Sequence, residues 1–336
     1  MEAKRQWKSV DFELANAENK NQKHEHYENH SYWKDVWKRF SQNKGAILGL
    51  ICIVIIISFA IVAPMISSHT YKSMIVEHAS LPPRIPFLEQ FGIFNGYRKG
   101  IDVYAAKGLQ DVYYYFGTDT LGRDLWTRVW FGTRISLYIA FVAMLIDMGI
   151  GVIYGLISGY IGGRTDLYMQ RFIEVLSGIP NLVIVTLLVL VLKPGILSIT
   201  IALMITGWIG MSRLVRAQVL KLKEQEYILA SKTLGASAYE IIVQDVMPNI
   251  MGQVITMSMF SIPSAIFTEA FLAFIGLGLQ APMASLGSLI SDGYKSMTIM
   301  PHMVAFATIV LAILMLSFNV LADGLRDAFD PKQREM

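Results

Sequence analysis

The chain has 336 residues, 54% of them hydrophobic and 16% charged, with a formal net charge of +3 and a mean hydropathy of +0.45. A soluble domain of this length carries more charge and fewer apolar side chains, so an integral membrane protein is expected and no nucleic-acid partner is. The single cysteine, Cys52, can form no internal disulfide and reads as a packing residue inside an apolar run.

Residues 1–30 mix charges with Asn, Gln and His, a composition that cannot bury enough surface to order itself, so a mobile tail is expected. His24, His26 and His30 stand near Glu25 and Glu28, but such tracts are ordinarily solvated and no metal site is assigned. Trp33, Val36, Trp37 and Phe40 then recur at i, i+3, i+4 and i+7, with Lys34, Lys38 and Arg39 off that stripe. This spacing predicts a helix lying in the lipid interface.

Residues 45–67 form a nearly uninterrupted apolar run of membrane-crossing length, the first span. No short apolar segment with a small-residue cleavage site precedes it, so this span is expected to serve as its own insertion signal. Residues 68–133 contain Pro82, Pro83, Pro86, scattered charges and the aromatic run Tyr113, Tyr114, Tyr115 and Phe116, which predicts an ordered extramembrane loop. Five further spans are predicted over 134–159, 171–192, 196–211, 250–276 and 302–321. The expected fold class is therefore an all-α membrane protein of six transmembrane helices. Residues 1–44 form its tail and interfacial helix, 68–133 its extracytoplasmic insertion, and 134–336 its core.

Gly151, Gly155, Gly159 and Gly163 recur every four residues and give the end of the second span a smooth ridge that another helix can approach closely. Pro180, Pro194, Pro263 and Pro301 fall in or beside spans, where a break is tolerated if neighbours satisfy the freed backbone groups. Asp147 lies midway along the second span and Glu269 in the fifth. A carboxylate at such depth costs about 2.5 to 3.5 kcal/mol on insertion scales unless it faces a cavity or a partner. Both are candidates for lining a pathway, with Glu174 and Asn319 as weaker ones, and bonding between helices is the plainer alternative.

The loop 213–249 is too polar to cross a membrane. In it, Tyr227, Ala230 and Leu234 share one side of a short helix starting at Glu226, with Lys232 off that face, and Gly235 stops the helix as a left-handed terminal residue. Ser237 with Glu240 makes a capping box that starts a second helix, which Met247 and Pro248 are expected to turn into the next span. The result is a two-helix elbow with no nucleophile and base, unsuited to catalysis and suited to being gripped. With the amino terminus cytoplasmic, nineteen of the 29 Lys and Arg fall on the inner side and the short loops agree, which places both termini and the elbow in the cytoplasm.

The elbow resembles the "EAA" loop of the membrane subunits of binding-protein-dependent ABC importers. There a small-residue triplet precedes a glycine by four places and a Leu-Pro-like pair follows; here these are Leu229, Ala230 and Ser231, then Gly235, then Met247 and Pro248. The glutamate that names the motif is absent. The upstream Glu226-Tyr227 and the following Pro248-Asn249 are similar to the oligopeptide and dipeptide branch. Phe116-Gly117-Thr118-Asp119, Leu121-Gly122-Arg123-Asp124, Gly132-Thr133-Arg134, Ser285-Leu286-Gly287 and Asp323-Gly324-Leu325-Arg326-Asp327 with Asp330-Pro331 resemble further signatures of that branch, and of its "C" subunits most.

The resemblance implies a type I importer permease in the bacterial cell membrane, paired with a second permease. Two cytosolic ATPases would carry ATP and magnesium and grip the elbow, and an external binding protein would deliver peptide. Dipeptide or nickel import remains open as an alternative within the family, and an autonomous ion-coupled carrier outside it. No phosphate-binding Gly-x-x-x-x-Gly-Lys-Ser/Thr loop, zinc-protease motif or Gly-x-Ser-x-Gly elbow occurs, so neither a catalytic site nor a cofactor of its own is expected in this chain.

Overall fold

The computed structural model describes residues 32–330. The polar tail with its histidines, and Pro331, Lys332 and Arg334, lie outside the described residues. Among the described residues five helices are long and apolar enough to cross a membrane, and a bent pair is the candidate for a sixth crossing.

Helix α1, Tyr32–Gln42, forms as its stripe predicts, but the stripe is divided. Val36 and Phe40 are buried in the main core, whereas Trp33 and Trp37 remain exposed. The Trp33 ring stands edge-on to Phe329 at 6.2 Å. Asn43 then caps α2, Lys44–Ile66, by accepting from the Ala46 amide at 3.1 Å. Ala46, Gly49, Ile53, Ile56, Ala60 and Ala63 make a buried stripe at helical spacing, and the rest of α2 is left for lipid.

The spine of the molecule is α4, Leu125–Ile161, which begins nine residues before the predicted second span. Residues 125–133 were expected in the preceding loop. Three arginines in and around this stretch have partners outside the helix. Asp124 caps the helix by accepting from the Trp126 and Thr127 amides, Arg123 Nε pairs with Asp119 at 2.6 Å, and Arg134 Nε donates to the Ala60 carbonyl. Asp119 also accepts from the Leu121 and Arg123 amides, so the Leu121-Gly122-Arg123-Asp124 signature is a turn that seats the spine.

The insertion between α2 and α4 is ordered, as expected. It holds short 3-10 turns at Val76–His78 and Leu88–Phe91, an antiparallel pair β1 (Tyr97–Arg98) and β2 (Ile101–Asp102), and a short α3 (Val103–Ala106). Its own small core is Leu81, Tyr104 and Tyr114. Tyr104 donates to the Pro82 carbonyl at 2.8 Å, and the Arg84 guanidinium lies between the Tyr104 and Tyr113 rings.

The third crossing is broken. Helices α5, Gly163–Gly178, and α6, Asn181–Leu192, meet at 74°, a sharp break inside the predicted span 171–192 at the proline where one was allowed. Pro180 has no N–H to continue the helix and drives Ile179 into an extended conformation (φ −86°, ψ 121°). The fourth crossing is α7, Ile196–Thr206, followed at Gly207 by α8, Trp208–Leu222, which runs well past the predicted end at 211. Arg216 on α8 makes two 2.6 Å bonds to Asp166 on α5, fixing the ends of these helices together.

The glycine ridge behaves as its spacing indicates. A Cβ on Gly151 would come within 2.6 Å of Met211 Cβ, one on Gly155 within 2.6 Å of the Ser212 carbonyl, and one on Gly159 within 2.9 Å of Val219 Cβ. Helix α8 therefore lies directly against α4. Gly163, the fourth member, instead starts α5 at positive φ and meets no neighbour.

After the elbow, α11, Met247–Phe274, makes the fifth crossing. A helix absent from the sequence reading, α12 (Leu286–Tyr294), follows, started by a Ser285–Ser288 capping box. The last crossing, α13, His302–Phe329, extends eight residues beyond 321 because Ala322, Gly324 and Ala328 keep its buried face going past the apolar stretch.

Candidate coupling site

The elbow begins with α9, Glu226–Thr233. Ile228 is its one buried residue, set into a core of Val152, Leu156, Met211, Val215 and Val219 from α4 and α8. The helix closes with paired reversals in which Gly235 N–H reaches the Lys232 carbonyl and Ala236 N–H the Ser231 carbonyl, each at 3.1 Å. Such a close demands a left-handed residue, and Gly235 has φ +90°. Nothing lies within 4 Å of the place a Cβ would take there, so the glycine is required by backbone conformation and not by crowding.

The capping box is formed in full. Ser237 N–H donates to Glu240 Oε2 at 2.7 Å, and Glu240 N–H donates to Ser237 Oγ at 3.3 Å. The helix it starts, α10 (Ala238–Glu240), does not turn at Met247 and Pro248 as predicted. It passes through a π-helical stretch, Ile241–Val246, and runs on into α11 without a break, so 238–274 is one 37-residue helix. Pro248 cannot donate to the preceding turn, and the wider π register carries the chain past it. Asn249 Nδ2 takes up the Asp245 carbonyl at 2.6 Å.

Ile241, Val246 and Ile250 anchor this second arm in the same core as Ile228. The elbow is thus bolted to the spine from beneath, and its predicted apolar face points away. Leu234 is 88% exposed and Tyr239 75%, with Tyr227, Leu229 and Val243 half exposed around them. Ala230 is exposed, Ser231 is partly covered and Pro248 is exposed. Partial burial, with the Asp245 carboxylate nearby, raises the Tyr227 phenol above its ordinary value. Tyr239 and Val243 were missed in the sequence because they stand beyond the glycine, on the second helix.

The two candidate pathway acids lie elsewhere, inside the bundle, and are not brought to the elbow. Asp147 on α4 is buried and faces Gly207, at the joint between α7 and α8. Its Oδ1 has no hydrogen-bond partner, and Ser261 on α11 faces the same carboxylate. Glu269 is fully buried, and its Oε2 accepts from Ser136 Oγ at 3.0 Å. Ser136 Oγ also accepts from the Leu286 amide at 3.2 Å, so this carboxylate joins α4, α11 and the start of α12. Of the weaker candidates, Glu174 is exposed and paired with Arg171 on its own helix, and Asn319 is partly buried. Among the described residues no group of three or more metal-ligating side chains is present.

A bundle of membrane-crossing helices with an accessible, rigidly seated two-helix elbow defines a polytopic membrane protein. The sequence profile described as "Binding-protein-dependent transport system inner membrane component" matches residues 151–335, the elbow included. The profile for the N-terminal TM domain of oligopeptide transport permease C matches 31–83. An oligopeptide transport system permease protein of Bacillus subtilis is 45% identical over 305 residues, covering 91% of each chain. A dipeptide transport system permease protein of the same organism is 42% identical, covering 90% of this chain and 87% of its own. One from Lactococcus lactis is 44% identical, covering 91% and 92%. Among solved structures, inward-facing MetNI methionine ABC transporter matches 59% of this chain and 94% of its own at a TM-score of 0.49 and 17% identity. The chain belongs to the family of binding-protein-dependent transport system inner membrane components. It is a multi-pass permease subunit of such a system.

Proposed function

We propose that this subunit forms, with a second homologous permease, the pathway of an ATP-driven importer of oligopeptides, and that cytosolic ATPase subunits drive it by gripping the elbow. The observation that carries the reading is the open apolar face around Leu234 and Tyr239 on an elbow fixed to the core through Ile228 and Ile241. Exposed apolar side chains on a rigid mount favour a protein partner. ATP and magnesium belong to those partners, and this chain binds no cofactor and catalyses no reaction in this scheme. Both termini and the elbow lie in the cytoplasm, as the Lys and Arg distribution of the short loops supports. An extracytoplasmic binding protein delivers the peptide.

In the ATP-bound state the ATPases close and carry α9 sideways, and α8 and α11, attached on either side of it, reopen the pathway. The coupling exists only if the ATPases contact the elbow differently in their two states. Within this scheme Glu269 positions helices, and Asp147, opposite the Gly207 joint, is the better candidate for meeting the pathway.

Leu234→Arg tests the scheme with little backbone cost, since Leu234 is right-handed and exposed. Gly235→Arg adds the strain of positive φ. In both, the permease pair is expected to assemble while peptide uptake falls; normal uptake by Leu234→Arg overturns the grip. Dipeptides are the second reading of the substrate, favoured by relatives at 42% and 44% identity, and the ligand found in the purified binding protein decides between them. Transport by this chain reconstituted alone would instead make it an ion-coupled carrier.

A further inference from the structure

The insertion carries an uncharged face that coupling does not use. From Pro86 to Tyr97 the sequence is PFLEQFGIFNGY, with Glu89 as its single charge. That charge is spent within the fold: Arg84 Nε pairs with Glu89 Oε2 at 2.7 Å, and Tyr113 donates to Oε1 at 3.2 Å. What remains outward carries no charge and, Gln90 apart, is apolar. Phe87 and Phe91 are 67% and 66% exposed with their rings edge to face at 5.5 Å, and Ile93 and Phe94 are exposed beside them.

The backbone holds these rings out at a cost. Phe87 and Phe94 have φ of +75° and +50°, a region side chains with a Cβ adopt only under constraint. The insertion's own core of Leu81, Tyr104 and Tyr114 takes neither ring.

The position of the patch identifies what covers it. The Phe94 ring lies 5.8 Å from that of Phe306, which in turn stacks on Phe116 at 4.0 Å. Phe306 is four residues into α13, about 6 Å along the helix from its start at His302. Farther along the same helix Ile309, Ile313 and Leu316 are exposed, as lipid-facing residues of a span are. The patch therefore adjoins the level at which α13 enters the bilayer. Aromatic side chains without free charge at that depth match the interfacial zone of a membrane, whereas a soluble partner would be met by a polar rim.

We propose that Phe87, Phe91, Ile93 and Phe94 form a membrane anchor seated at the boundary of headgroups and acyl chains, in the leaflet opposite the elbow. Which leaflet is the external one rests on the orientation proposed above. Its effect is to hold the insertion down beside α13 and fix its height over the mouth of the bundle.

The experiment uses the assembled importer in lipid nanodiscs, with Cys52→Ser as background and a nitroxide on Phe91→Cys. The same label on Lys107→Cys, an exposed and charged position of the insertion, is the reference. Collision with dissolved oxygen and with a water-soluble nickel chelate is read by electron paramagnetic resonance. The anchor predicts a ratio of oxygen to nickel accessibility at 91 several-fold above that at 107. Equal ratios place the patch in water, and shielding from both reagents places it against the binding protein or the companion permease; either result overturns the anchor. Peptide-stimulated ATP hydrolysis by the same preparation reports on the importer reading separately, because depth is measured whether or not the ATPases respond.

Discussion

At the scale of single residues, the positions that matter most are those where no atom can be added. Gly155→Val would put a branched side chain against the Ser212 carbonyl and Val215, and is expected to destabilise by about 1 to 3 kcal/mol, as overpacking does. Thermal melting in detergent should show this for Gly155→Val and not for Gly149→Ala, where nothing lies within 4 Å. The four-residue recurrence made the ridge legible without a structure. Asp147 and Glu269 were legible only as buried acids, because their partners come from other helices; Ser136 is 133 residues from Glu269. Replacing Glu269 by Leu leaves Ser136 Oγ and its neighbours without an acceptor, at about 1 to 3 kcal/mol, whereas Glu269→Gln keeps one. Melting should separate the two variants, and equal melting points would argue against a helix-joining role. On the insertion, His78 Nδ1 bonds the Tyr114 hydroxyl at 2.6 Å. Desolvation first, and His69 second, lower its pKa below 6.5. The unfolded insertion therefore takes up a proton before the folded one does, so His78 supports the fold above 6.5 and withdraws that support as pH falls through its folded value. Limited proteolysis of the insertion should quicken below that point, and less so in His78→Gln.

At the scale of elements, local chemistry separates what could be read from what could not. The elbow was readable because its signals are contiguous: Gly235 for the left-handed close and Ser237 with Glu240 for the restart. Ser237→Ala removes that cap at about 1 kcal/mol. Faster amide exchange at Ala238–Glu240 is the expected signature, with no change at α9. The broken third crossing was half readable. Pro180 announced a break, but the 74° bend depends on where α5 is held, and Arg216 of α8 sets that through Asp166. Helix α12 gave no signal, being nine residues long and placed after a Pro-containing turn, and the early start of α4 was hidden by arginines whose partners lie outside the helix. Hydropathy measures transfer from water, and it cannot count a charge already neutralised by the fold.

At the scale of the whole molecule, the plan of successive crossings followed from apolar length, while the continuity of α10 with α11 did not. That continuity is the basis of a further prediction. Inserting two glycines between Val243 and Gln244 should leave the crossings and partner binding in place and still abolish peptide uptake, since the second arm could then move without the span. Retained uptake would mean that α9 alone suffices.

Over 37 residues the helix from Ala238 to Phe274 measures about 55 Å at 1.5 Å per residue. It is pinned at Gly252, where a Cβ would come within 2.9 Å of Phe329. That close approach lies about 18 Å along the helix from Glu240 and about 26 Å from Glu269. If the coupling proposed above tilts the helix about it, the far end would swing opposite to the elbow, toward the seat of α12. Distances between spin labels on Tyr239 and on Ser288 during turnover would record such a stroke.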